Sequence, residues 1–294
     1  GFVVRELAAA GRSWRADESL VDYLVRHRIP ALVEVDTRAV TRHVRELGAM
    51  RALIMPGAWN DERGLEVLRA EPLMEGRDLA TGVSTPEPYE IAPQGAERGT
   101  VVCLDYGVKR KSLELIAESG FRVRVEPASV SVESILAERP AGVFVSNGPG
   151  DPEAIPGAAE KIRSLIDAGL PVFGICLGCQ LLARALGGRT WKLPYGHRGG
   201  NHPVRNLDTG AVEITSQNHG FAIEGDGDGV AGAPGLRVTH RNLNDGTIEG
   251  VAHVDFPVFA VQYHPEAAPG PHDSRYLFDR FVEAINASTD SATG

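Results

Sequence analysis

The chain has 294 residues, 43% of them hydrophobic, with a net charge of −9 and three cysteines. That length allows two domains with sizeable cores, and the negative balance argues against nucleic acid or an anionic membrane as the main partner. Three cysteines make no disulfide framework, and no stretch reads as a membrane span or a signal peptide, so a cytoplasmic protein is expected.

In chain order, Phe2-Val3-Val4 reads as a strand directly after Gly1, so an N-terminal part is expected ahead of this sequence. Asp17 can cap a helix reaching about Arg28, with Leu20, Tyr23 and Leu24 on one face. Ala31 to Val35 is a short strand, and Asp36 caps a helix from Thr37 to Leu47 that Gly48 ends. Residues 71–98 are rich in Pro, Gly, Ser and Thr, with Pro86, Pro88 and Pro93 close together. They read as an exposed linker, with a domain boundary near 96. The expected organisation is therefore a small N-terminal domain with linker over 1–96 and a second domain over 97–294.

From Thr100 the pattern alternates. Strands are expected at Thr100 to Leu104, Phe121 to Val125, Gly142 to Val145 and Pro171 to Phe173. Helices are expected at Lys109 to Glu118, Ser131 to Glu138 and Gly157 to Ala168. Such alternation gives an α/β fold, a mostly parallel sheet flanked by helices, with functional loops at the carboxyl ends of the strands. After Gly188 the style changes. Val212 to Thr215, Leu236 to Arg241, Thr247 to His253 and Val258 to Val261 read as strands, and Asn244-Asp245-Gly246 as a hairpin turn. A helix from Ser274 to about Asn286 precedes a polar tail.

Within this frame Cys176 stands where an apolar strand turns into a helix marked by Leu177, Leu181, Leu182 and Ala185. Small residues flank the turn, which is the layout of a nucleophile elbow with Cys for Ser. Free N–H groups at a helix N-terminus favour the thiolate, the attacking species. Two other readings stand beside it: a buried core cysteine, and a thioredoxin-like redox pair with Cys179. Gln262-Tyr263-His264-Pro265-Glu266 follows an apolar strand. His264 and Glu266, two apart in extended chain, can share a face, so a Cys–His–Glu triad is available. On its own, His264 reads more readily as a solvated or satisfied ring. The loop Ser146-Asn147-Gly148-Pro149-Gly150-Asp151-Pro152 reads either as a plain turn or as backbone brought close to a substrate. No phosphate-binding G-x-x-x-x-G-K-S/T occurs, so ATP handling by this chain is not expected. His197 and His202 read as structural, since no carboxylate stands at ligand spacing, and no metal site is expected. Lys109-Arg110-Lys111 reads as a solvated helix start.

Taken together, Gly174-Ile175-Cys176-Leu177-Gly178 with Gln180, the loop 146–152 and His264-Pro265-Glu266 resemble a class I (triad) glutamine amidotransferase domain. Asp105 to Arg110, Gly196 to Pro203, Gln217 to Phe221, Glu266 to Pro271 and the N-terminal Asp36-Thr37-Arg38 are similar to the small chain of carbamoyl-phosphate synthase. The resemblance implies L-glutamine hydrolysis by Cys176, His264 and Glu266 through a glutamyl thioester. It implies an oxyanion hole at the N–H groups of Leu177 and Gly148, and glutamine contacts at Gly150, Gln180, Asn218, Gly220 and Phe221. It implies no cofactor in this chain, and a large synthetase chain as partner that carries ATP and Mg and uses bicarbonate to make carbamoyl phosphate for arginine and pyrimidine biosynthesis. The family's small chain begins before residue 1, and that segment ordinarily adds a serine to the glutamine pocket. Cys179 departs from the usual His. Rival readings are an amidotransferase component of another synthase, a redox protein using Cys176 and Cys179, and a non-catalytic binding component.

Overall fold

The computed structural model describes residues 1–8, 16–55, 57, 60–225, 227 and 229–293. It divides into two compact units, Gly1–Leu73 and Met74–Gly294. The first contains β1 (Phe2–Val3), α1 (Leu20–Arg26), β2 (Ala31–Leu32), α2 (Thr37–Leu47) and α3 (Asp61–Ala70), with β1 and β2 paired in parallel. Ser19, not Asp17, caps α1 by accepting the Asp22 N–H, and Asp36 caps α2 through the Ala39 N–H. The sequence pattern does not announce α3, whose interior Gly64 weakens a helical signal.

The second unit contains β3 (Tyr89–Ile91), β4 (Thr100–Asp105), α4 (Arg110–Glu118), β5 (Arg122–Pro127), α5 (Val132–Ala137), β6 (Gly142–Val145), α6 (Ala158–Asp167), β7 (Val172–Ile175) and α7 (Leu177–Ala185). There follow β8 (Thr190–Asn206), β9 (Val212–Ile223), β10 (Leu236–Asn242), β11 (Ile248–His253), β12 (Val258–Val261) and α8 (Tyr276–Thr293). Ten strands form one sheet in the order β10-β8-β9-β11-β12-β7-β6-β4-β5-β3. Strands β12, β7, β6, β4 and β5 pair in parallel, whereas β8 to β12 pair antiparallel among themselves and β3 runs antiparallel to β5.

The compact units divide at 73/74, well before the boundary expected near 96. Much of the Pro- and Gly-rich stretch is built into the second unit. Tyr89–Ile91 adds a strand, the Arg77 carbonyl accepts the Asp151 N–H, and the Thr85 N–H donates to the Asp105 carboxylate. Residues 196–203, expected as a loop, lie within β8. Glycines at positive φ (Gly196 and Gly199) bulge the strand there, which explains why no strand period shows. β9 runs well beyond Thr215, and α8 continues past Asn286.

Strand alternation sends side chains to both faces of the parallel region, and each face has its own core. On one, Phe144, Phe173 and Phe259 from three consecutive strands pack under Phe278 and Phe281 of α8. On the other, Val143, Val145, Val172 and Ala260 pack against α6 and α7 through Ile162, Leu165, Leu181 and Leu182. Helix α7 lies so close to the sheet that a Cβ at Gly178 would stand 2.1 Å from the Val145 carbonyl oxygen. A Cβ at Gly174 would stand 2.8 Å from the backbone of Gly178. Overpacking ordinarily costs about 1–3 kcal/mol. Because the obstruction is backbone, Gly178→Ala is expected to lose about 3 kcal/mol in urea denaturation, whereas Gly82→Ala, whose Cβ meets nothing closer than 3.7 Å, should stay within about 0.5 kcal/mol of the parent.

Candidate active site

The site stands at the carboxyl ends of adjacent parallel strands. β7 and β12 are in register with Ile175 opposite Val261, so Cys176, next after Ile175, and His264, three past Val261, emerge side by side. Cys176 takes φ 55°, ψ −104° at the start of α7, and its N–H donates to the Val261 carbonyl at 2.9 Å. A left-handed φ costs a non-glycine residue on the order of 1–3 kcal/mol, and here the packed strand and helix on either side hold it. The thiol is thereby fixed before the free N–H groups of α7, with Cys176 only 5% exposed.

His264 is anchored through its own N–H to the Ser216 carbonyl of β9 (2.9 Å). Its Nδ1 meets Glu266 Oε1 at 2.8 Å, which leaves Nε2 free to face the Cys176 sulfur. Burial opposes charge on this ring, but the Cys176 sulfur and the Glu266 carboxylate outweigh it and raise its pKa to about 9. Burial likewise opposes charge on Glu266, and the His264 contact, with Lys109 adding to it, outweighs that and lowers its pKa. The ring therefore holds its proton at neutral pH, with the Cys176 sulfur on one side and the Glu266 carboxylate on the other.

The loop after β6 completes this end of the sheet. Ser146 Oγ accepts the Tyr106 N–H, and Asn147 ties the loop to Gly107 and Lys109. Asp151 accepts the N–H groups of Gly76 and Glu153. A Cβ at Gly148 would lie 2.1 Å from the Tyr106 carbonyl and 2.7 Å from Leu177 Cδ2, so only glycine brings the backbone this close to the start of α7. Gly150, at φ 96°, is pressed against the Arg77 carbonyl and the Leu79 N–H.

The model for "Glutamine amidotransferase class-I" matches residues 102–284, and that for "Carbamoyl-phosphate synthase small chain, CPSase domain" matches residues 1–54. The carbamoyl phosphate synthase small chain of Syntrophotalea carbinolica is 46% identical over 304 residues, covering 99% of this chain and 79% of the relative. This chain belongs to the carbamoyl-phosphate synthase small-chain family. The Synechococcus member is 47% identical, over 96% of this chain and 73% of its own length, and that of Pseudomonas aeruginosa is 45% identical, over 97% and 78%. Among solved structures, a Thermoplasma acidophilum protein described as part of a GMP synthase aligns with a TM-score of 0.58 at 16% identity, over 68% of this chain and all of that one, which is a likeness of fold.

The remaining family positions divide by strand face. On β9, Gln217, His219 and Phe221 point into the buried side, while Asn218 is exposed and Gly220 half-buried on the other. Phe221 also lines a cleft of about 490 Å³ with Glu75, Gly76, Asp151, Trp191 and Lys192. Gln180 is buried, and its amide nitrogen donates to the Phe221 carbonyl (2.9 Å) and to Gln262 (3.0 Å), so it steadies the β9 backbone. Cys179 stands apart from the other site residues. It is a free, fully buried thiol in the core cluster on the opposite face from Cys176, and burial, with Cys176 and Glu249 adding to it, pushes its pKa well up.

Two features escape a reading of the sequence. Carboxylates distant in sequence do meet His197: Asp245 at 2.8 Å and Glu249 at 3.3 Å. Lys109, which reads as a solvated residue, reaches the buried Glu266 with Nζ 3.1 Å from Oε1. Removing that ammonium should raise the carboxyl pKa. Lys109→Met is expected to move the Glu266 titration, followed by ¹³C NMR, to higher pH, and Lys109→Arg to hold it near the parent value; an unmoved titration in Lys109→Met would show the pair to be without electrostatic weight.

Proposed function

We propose that this chain is the glutamine-hydrolysing subunit of carbamoyl-phosphate synthase, acting through Cys176, His264 and Glu266. The observation that carries the reading is the buried His264 imidazole, hydrogen-bonded through Nδ1 to the Glu266 carboxylate and made more basic by the neighbouring Cys176 sulfur. The sulfur attacks the side-chain amide carbon of glutamine, and the oxygen that gains charge is received by the N–H groups of Leu177 and Gly148. His264 gives its proton to the departing nitrogen, which leaves as ammonia, and a glutamyl thioester remains on Cys176. The neutral ring then takes a proton from water, the resulting hydroxide adds to the thioester, and glutamate departs as the sulfur is released. Gly148, Gly150, Gln180, Asn218, Gly220 and Phe221 frame the glutamine, Gln180 by holding the Phe221 carbonyl in place.

The ammonia passes to a large synthetase chain that carries ATP and Mg and makes carbamoyl phosphate with bicarbonate; this chain itself needs no cofactor for the hydrolysis. Family membership over nearly the whole chain supports that partner. No helix among the described residues is long and apolar enough to cross a membrane.

Two experiments test the roles. In the complex, Cys176→Ser is expected to abolish glutamine-dependent synthesis while ammonia-dependent synthesis continues; surviving glutaminase activity would remove Cys176 as the nucleophile. The second concerns pH. A ring with a pKa of about 9 is a proton donor below that pH and loses this role above it, so glutaminase activity should fall on the alkaline side. Glu266 raises the ring's pKa, so Glu266→Gln should lower it and shift the alkaline limb to lower pH. His264→Ala should cost more, about 10²–10⁴-fold in thioester formation. An alkaline limb left in place by Glu266→Gln would overturn the assignment of His264 as the acid.

A further inference from the structure

His197 and His219 are direct cross-strand partners on β8 and β9, and their rings meet edge to face with centroids 4.8 Å apart. Glu249 of β11 lies beside them. One ligand-type atom from each of the three falls within 4.8 Å of the others, and all three residues are buried. His219 donates from Nδ1 to the Phe221 carbonyl at 2.7 Å, so its Nε2 carries the lone pair. That Nε2 is buried without a hydrogen-bond partner, on a residue only 5% exposed. His197 turns Nε2 to the Asp245 carboxylate at 2.8 Å and Nδ1 to Glu249 Oε1 at 3.3 Å. Glu249 is fully buried; neutral amides of Asn242 and Gln217 donate to its two oxygens, and among the described residues its only ion-pair partner is His197.

We propose that His197 Nδ1, His219 Nε2 and a Glu249 oxygen bind a borderline divalent transition-metal ion of the zinc class. Two imidazoles and one carboxylate are a recognised zinc donor set. Tetrahedral bonds of about 2.0–2.1 Å place neighbouring ligand atoms roughly 3.3 Å apart, and the His197–Glu249 edge already has that length. The outer partners are those that orient metal-binding groups: a carboxylate behind His197, a backbone carbonyl behind His219 and amides behind Glu249. The ion gives the orphaned Nε2 of His219 a partner. Its role is positional. It locks His219 and with it the Phe221 carbonyl, on the same strand whose Ser216 carbonyl holds the His264 N–H.

The test uses the full chain carrying Cys176→Ser, so that the active-site thiol does not capture metal. The protein is stripped with a chelator, equilibrated with Zn²⁺ or Co²⁺ and dialysed. The site predicts one metal per chain by mass spectrometry, a higher melting temperature, and Co²⁺ absorption bands of tetrahedral nitrogen–oxygen coordination. Glu249→Gln keeps the shape of the side chain and should abolish the bands. Asp245→Asn, at a residue whose side chain is 41% exposed, should weaken affinity about 10–100-fold without loss of fold. Two results would each overturn the proposal: a folded Cys176→Ser chain that retains no metal and whose melting is indifferent to Zn²⁺, as a purely protonic network of His197, Asp245 and Glu249 requires, or metal retention in the Glu249→Gln chain equal to that of the Cys176→Ser parent.

Discussion

The site depends on how closely α7 is drawn against the carbonyl of Val145. Gly178 permits that approach, and Gly174 permits the strand before it to pass beneath the first turn. With the helix start fixed on the sheet, Cys176 has a short span in which to reverse direction, and the left-handed backbone follows. The cost is carried by apolar burial on both faces of β7, where all four residues are buried. The thiol is thereby held by rigid elements on each side, which is what a nucleophile aligned on a carbonyl carbon needs.

The partners of the thiol reach it by register more than by proximity in sequence. β12 pairs with β7 on one side and with β11 on the other, parallel to the first and antiparallel to the second. It is the strand at which the sheet changes character. His264 therefore stands between a half of the sheet that carries Cys176 and the glycine loop, and a half that carries Ser216, Phe221 and the His197–His219–Glu249 cluster. Lys109, from the loop after β4, reaches the same carboxylate from two strands beyond β7. The buried charge of Glu266 is thus balanced by two cations, His264 and Lys109, that reach it from different strands.

What can be read in the sequence is what is locally encoded. The parallel strands and their helices are announced by apolar runs and helical spacing, and the elbow by glycines around a single cysteine. His264 and Glu266 are two residues apart, so their pairing needs only extended chain. Long-range contacts are not legible. Nothing near Lys109 marks it as the neighbour of a carboxylate far along the chain, and nothing near His197 points to Glu249. The bulged part of β8 carries Pro194, Gly196, Gly199, Gly200 and Pro203, which signal a loop even though β9 supplies a pairing strand. The Pro-rich stretch before β4 misleads for a related reason: proline and glycine mark where a chain turns, and a turning segment packs on a domain as readily as it links two.

The register of β7 against β12 also governs the order of events during synthesis. The strand and helix that flank Cys176 lie well ahead of the strand that leads to His264, so a growing chain presents Cys176 long before His264 leaves the ribosome. Parallel pairing between distant segments is slow, because chain closure must come before any contact can reward it. During that interval the thiol has the helix start but neither imidazole nor orienting carboxylate. A nascent chain, or one truncated before β12, accordingly lacks the His264–Glu266 pair beside Cys176 until the last strand of the sheet has closed.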